Sequence, residues 1–166
     1  MSTAEHVTGV TVRVAVGPAD REACFAVRKE VFVAEQRVPE DIEYDAYDAE
    51  DADTVHVLAV GADGRVLGTG RLLHGPAAAA KTGGDPTVGS LGRLAVTKAA
   101  RGLGVGVALV RAIEDAARER GLGAVDLHAQ THARGFYERL GYTAYGAEFL
   151  DAGIAHLSMR RPLHAS

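Results

Sequence analysis

A chain of 166 residues is most simply one compact domain with room for a substantial core. Apolar residues make up 47% and charged residues 24%, ordinary usage that argues against wholesale disorder. The formal charge of −4 supplies no electrostatic reason to meet nucleic acid, which is normally approached by a basic face.

No stretch approaches the roughly 18–20 apolar residues that cross a bilayer. The first residues also lack the basic-then-apolar pattern of a secretory signal, so a soluble cytoplasmic protein is expected. Cys24 is the single cysteine, which excludes an internal disulfide, and no Cys/His cluster has the spacing of a structural zinc site. Cys24 falls in an apolar helical pattern and reads as a small core residue.

Val10 to Val16 alternates apolar and polar residues, as a first strand does. Pro18-Ala19-Asp20 starts a helix with Ala23, Val27 and Val31 on one face. Val31-Phe32-Val33 prolongs that face until Pro39. Glu40 to Asp53 is strongly acidic. It reads either as a solvated loop or short helix, or as a patch that attracts a cationic ligand. Val55 to Val60 and Arg65 to Leu73 are two strands joined by Gly61-Ala62-Asp63-Gly64, a hairpin signal. Pro76 to Gly89, rich in Ala, Gly and Pro, reads as a mobile surface excursion.

Leu91 to Val96 is a fourth strand, followed at once by Arg101-Gly102-Leu103-Gly104-Val105-Gly106. A glycine-rich turn at a helix start lets several backbone N–H groups point outward together, where the helix dipole favours negative charge. The expected ligand is therefore the phosphate portion of a nucleotide-containing cofactor. The helix that follows carries Leu109, Ala112, Ile113 and Ala116 at i, i+3, i+4 and i+7, one apolar stripe. Ala124 to Ala129 is a fifth strand. Ala133 to Leu140 is a short helix closed by Gly141, and Tyr142 to Tyr145 and Ala155 to Met159 are the last two strands. The order predicts a mixed α/β domain with an antiparallel portion, spanning 1–166 with its core at about 10–162.

Taken in order, these segments resemble the GNAT superfamily of N-acetyltransferases. Its cofactor motif, Gln/Arg-x-x-Gly-x-Gly/Ala, is met at Arg101, Gly104 and Gly106. The next strand and short helix are met by Leu127-His128-Ala129-Gln130, Ala133, and Phe136-Tyr137-Glu138-Arg139-Leu140-Gly141-Tyr142. Val27-Arg28, Val31 to Gln36, Asp45, Asp48, His56, Gly92 to Val96 and Gly153-Ile154-Ala155-His156 resemble the ElaA-type branch. The chain departs from the wider pattern at Gln130, where many members carry asparagine, and at Gly135, where a larger residue is usual.

The resemblance implies a single-domain α/β (α+β) fold. Its mixed, largely antiparallel sheet has six to seven strands flanked by helices, the fourth and fifth strands splayed. It implies acetyl-CoA as donor and a small-molecule or peptide amine as acceptor, joined by direct attack. Backbone groups of Leu94, Ala95 and Val96 would meet the pantetheine arm. The amides of Arg101, Gly102, Leu103, Gly104, Val105 and Gly106 would cradle the diphosphate, with Gln130 and Phe136 beside the cofactor.

The family places a tyrosine near the cofactor sulfur, which makes Tyr137 the general acid. A phenol with an ordinary pKa of about 10 keeps its proton at neutral pH. The base is open among Glu35, His56, His128, His132, Glu148 and His156. Histidine titrates in the useful range unaided, while a glutamate needs burial. Glu35 and His156 stand out because they lie in the branch-specific segments.

Two other classes compete. A non-catalytic acyl-CoA-binding module would keep the phosphate loop without a working acid. A dinucleotide or P-loop enzyme would need Gly-x-Gly-x-x-Gly after the first strand or Gly-x-x-x-x-Gly-Lys-Ser/Thr, and neither is present. A homodimer and a monomer are both compatible with the sequence.

Overall fold

The computed structural model describes residues 5–7, 9–39, 43–50 and 52–163. Among them are β1 (Glu5–Val7), β2 (Val10–Val14), β3 (Val55–Gly61), β4 (Val66–Leu73), β5 (Val88–Val96), β6 (Ala124–Gln130), β7 (Thr143–Asp151) and β8 (Ile154–Pro162). They form one sheet in the order β1-β2-β3-β4-β5-β6-β8-β7. Every adjacent pair is antiparallel except β5 and β6. The seven expected strands are all present, and the three-residue β1 adds an eighth at the edge.

Helices cover both faces: α1 (Gly17–Arg28), α2 (Ala79–Thr82), α3 (Val105–Glu119) and α4 (Arg134–Arg139). The expected stripe on α3 is buried, Leu109 and Ile113 completely and Ala112 and Ala116 nearly so. It packs with Val57, Leu72, Leu91 and Leu127 from the sheet in the main core. On the opposite face Val27 and Val31 pack against Ala95. Cys24 is fully buried in the core, as its place in α1 predicts.

Past Arg28 the chain continues as a π-helical turn, Lys29–Glu35. Such wide turns favour functional positions, because the extra residue re-aims the side chains around it.

The Pro76 to Gly89 segment departs from the mobile excursion expected of it. A 3₁₀ turn (Gly75–Ala78) leads into α2, and Val88 and Gly89 already belong to β5. Ala78 and Thr82 are buried, and the Thr82 hydroxyl donates to the Ala78 carbonyl at 3.1 Å. Apolar contact and a satisfied hydroxyl give this segment the anchorage that its composition does not advertise.

Candidate functional site

The cleft begins where β5 and β6 part. Their parallel ladder runs from Val88↔Ala124 to Leu91↔Leu127 and stops. The β6-facing backbone groups from Gly92 to Val96 therefore have no ladder partner across the gap. The cause is a β-bulge in β5. Thr69 opposes Ala95 and Arg71 opposes Gly92, so Arg93 and Leu94 together face the single residue Gly70. Arg93 carries the bend at φ 52°, a left-handed conformation uncommon outside glycine. A bulge bends its strand and sharpens the local twist, which draws β5 away from β6.

The gap opens into a cleft of about 450 Å³ lined by Leu94, Val96, Arg101, Gln130, Phe136 and Tyr137, among others. Ala95, the middle residue of the expected pantetheine segment, points its side chain to the opposite face, where it is 2% exposed. This alternation leaves its backbone, rather than its side chain, for contact across the gap.

At one end of the cleft α3 begins. Gly104 precedes it at φ 80° and Gly102 sits at φ 82°, conformations that cost a residue with a Cβ roughly 1–2 kcal/mol. No side chain caps α3. The first intrahelical amide bond is Ala108 N–H to the Gly104 carbonyl, at 3.1 Å, so the amides ahead of it are available to an anion. A Cβ on Gly106 would meet the Phe136 ring at 3.3 Å, so Phe136 lies directly on the first turn of α3. This bare, glycine-lined helix start fits a phosphate-bearing group.

Arg101, beside that turn, is not a free surface cation. Its Nε donates to the Val96 carbonyl (3.1 Å) and its Nη2 to Glu35 Oε1 (2.7 Å). Glu35 thus lies against Arg101 and does not line the cleft. Gln130 ends β6, donating from Nε2 to Gln36 Oε1 at 2.7 Å, and its own Oε1 meets His132 Nε2 at 2.7 Å.

Tyr137 reaches the cleft from α4 and is 8% exposed. Its ring packs edge-on against Phe136 and Tyr142, and its hydroxyl makes no hydrogen bond among the described residues. Burial pushes the phenol above its ordinary range, so it holds its proton.

His156, on β8, also lines the cleft and is 8% exposed. Its Nδ1 lies 2.7 Å from the Ile154 carbonyl. A carbonyl only accepts, so Nδ1 carries a proton, and in the neutral ring the lone pair is therefore on Nε2. The ring stacks on Phe149. His128 also lines the cleft, and burial, reinforced by Lys81, lowers its pKa. His56 is elsewhere: it faces a separate pocket beside α1, and burial lowers its pKa to about 4. Glu148 is exposed on β7 and does not line the cleft.

The acidic segment corrects the expectation of a solvated loop. Glu40 and Asp41 lie outside the described residues, but Glu43 and Asp48 are buried. Arg28 clamps both, with Nη2 2.9 Å from Glu43 Oε2 and Nη1 2.7 Å from Asp48 Oδ1. Arg71 holds Asp45 and Asp48 at 2.7 and 2.9 Å, and Arg93 reaches Glu43 at 3.0 Å. These carboxylates are neutralised from within, so they offer little attraction to an incoming cation. Their work is to fix the floor of the cleft and the bulged Arg93. Sequence reasoning misses this part of the site because a bulged strand reads like a straight one and a buried acidic run reads like a solvated one.

Comparison with known proteins agrees with this geometry. The acetyltransferase (GNAT) domain family matches residues 21–163. YjcF of Bacillus subtilis, named an uncharacterised N-acetyltransferase, is 38% identical over 138 residues, 82% of this chain and 89% of its own. The solved structure of an acyl-CoA N-acyltransferase from Pseudomonas aeruginosa superposes with a TM-score of 0.74 at 31% identity, covering 96% of this chain and 99% of the other. Escherichia coli ElaA shares the fold, with a TM-score of 0.77 at 24% identity over 92% of this chain and 99% of its own. The chain belongs to the GNAT acetyltransferase family, and it is an acyltransferase.

Proposed function

We propose that this GNAT acyltransferase moves an acetyl group from acetyl-CoA to a primary amine by direct attack in a ternary complex. Its domain core would be at about 10–162 and its setting cytoplasmic. The observation that carries this reading is the end of the β5–β6 ladder at Leu91 and Leu127 beside an uncapped α3. Acetyl-CoA supplies an activated thioester when bound. The amides from Gly102 to Gly106 would hold its diphosphate; the Arg101 N–H, expected among them, donates to the Lys98 carbonyl at 3.3 Å, and the Arg101 side chain would add charge once freed from Glu35. The backbone of Leu94 to Val96 would hold the arm, and Phe136 and Gln130 would flank it.

The protein's own groups then have two proton tasks. Tyr137 Oη is protonated, buried and without a hydrogen-bond partner among the described residues. It is suited to give its proton to a departing thiolate. His156 Nε2 bears a lone pair in the same cleft, because Nδ1–H is committed to the Ile154 carbonyl. It is suited to take a proton from the acceptor's ammonium, directly or through one water, which frees the amine lone pair that attacks the thioester carbonyl. Glu35, the other base considered, is engaged with Arg101 and is better read as holding that arginine in place. Positioning supplies much of the remaining rate, since well-oriented reactants reach large effective molarities.

The test is steady-state release of CoA thiol from acetyl-CoA across a panel of amines. Release with at least one amine supports the reading. Tight CoA binding without release from any amine would favour a regulatory acyl-CoA-binding module.

A further inference from the structure

Away from α3, the cleft wall is built from Arg71, Lys81, Ser90, Arg93 and Asp151. Ser90 and Arg93 precede Val96 on β5 by six and three residues, so this wall lies roughly 10–20 Å back along the strand. The donors and acceptors here do not balance. Both oxygens of Glu43 are taken, Oε1 by Arg28 and Arg93 and Oε2 by Arg28. Arg71 takes both oxygens of Asp45, and Arg28 and Arg71 take those of Asp48.

On the donor side three groups are left over among the described residues. Arg71, 1% exposed, has a buried Nε–H with no acceptor. Arg93 spends Nε and Nη2 on Glu43 and Asp45 and makes no hydrogen bond through Nη1. Lys81 has no hydrogen bond or ion pair among the described residues, although it is partly buried on this wall.

We infer that the acceptor amine carries a carboxylate, held where Lys81, Arg93 and Arg71 meet on this wall. The inference rests on the acetyl-transfer reading and names its substrate class. A carboxylate offers only acceptors, and the acceptor already on this wall, Asp151, makes no ion pair with Lys81 among the described residues. Lys81 is under matching stress. Burial first, and then the nearby Arg71 and Arg93, disfavour its ammonium, while Asp151 and Asp45 oppose them from beyond ion-pair distance. An anion settling there relieves all three cations. An amine with no acidic group would bring further positive charge to these cations, so an amino acid or a chain end bearing its own carboxylate fits better than a diamine.

The experiment compares a panel of amino acids with their matched carboxamides as acceptors, following thiol release from acetyl-CoA. In parallel, calorimetry compares the N-acetylated amino acids with their carboxamides as ligands for the CoA-loaded protein. Both arms are expected to favour the carboxylate at least tenfold, one well-placed ionic contact in a partly buried site. That preference shrinks toward parity in Lys81→Met and returns in Lys81→Arg. Parity in wild type, or faster turnover of the carboxamides, overturns the inference while leaving acetyl transfer intact. Carboxylate-selective binding with no thiol release from any amine supports the subsite and removes the transferase reading instead.

Discussion

Replacing Tyr137 by Phe separates its proton from its packing. The ring is what the fold uses, in edge-on contacts with Phe136 at 5.0 Å and Tyr142 at 5.9 Å, and Phe preserves both. The hydroxyl has no partner among the described residues, so its loss leaves no protein group unsatisfied. The stability change is expected within about 0.5 kcal/mol, or about 2 °C in Tm. Turnover is a different matter. Removing a general acid costs roughly 10²–10⁴-fold, and the loss falls on kcat while KM for acetyl-CoA holds, because the interaction matters at the transition state. Burial keeps the wild-type phenol protonated through neutral and moderately alkaline pH. The wild-type rate should therefore show no alkaline limb from this group below about pH 10. The assay is thiol release under saturating acetyl-CoA, beside a melting curve of each protein. Wild-type kcat in Tyr137→Phe would refute the acid assignment, and a fall matched by a collapse in Tm would recast Tyr137 as packing.

Other perturbations test the surrounding structure. Gly104→Val forces a branched residue toward φ 80°, and should weaken CoA binding by tenfold or more while costing on the order of 1–3 kcal/mol in denaturant melts. Asp48, drawn down from 3.8 to about 2 against the cost of its burial by Arg28, contributes about 2 kcal/mol. That contribution is complete above pH 3.8 and disappears as the pH falls through 2. His56, held down from 6.5 to about 4 by burial, must be neutral in the folded state. Stability is therefore full above pH 6.5 and declines by up to roughly 3 kcal/mol as the pH drops to 4. His56→Gln should flatten that part of a urea-denaturation pH profile, and an unchanged slope would refute the assignment. Asp48→Asn leaves Arg28 and Arg71 short of a charge in a buried site and should cost about 3–5 kcal/mol.

The parts of this molecule legible in sequence are those set by local rules. The α3 stripe follows from a 3.6-residue period, and the turn from Gly102 to Gly106 announces its own backbone conformation. Tyr137 and Gln130 are named by the family resemblance, and both line the cleft. What escaped depends on partners far away in the chain. Glu43 and Asp48 read as solvated acids because Arg28, Arg71 and Arg93, the groups that bury them, stand 15 to 50 residues distant. The bulge at Arg93 was hidden because Gly92-Arg93-Leu94-Ala95-Val96 has the composition of a straight strand, and only pairing with Gly70 exposes the extra residue. Between Glu35 and His156 the residues alone left the base open. Glu35 is paired with Arg101, 66 residues away, while the His156 ring is held by the Ile154 carbonyl two residues before it, and neither contact is written in residue type.

The most direct measurement of the central claim is a crystal structure of the protein grown with CoA. Density for the pantetheine arm is expected between β5 and β6, hydrogen-bonded to backbone from Leu94 to Val96, with the diphosphate on the amides of Gly102 to Gly106 and the sulfur near Tyr137 Oη. CoA bound elsewhere, or a β5–β6 gap closed into a continuous ladder, would contradict the claim.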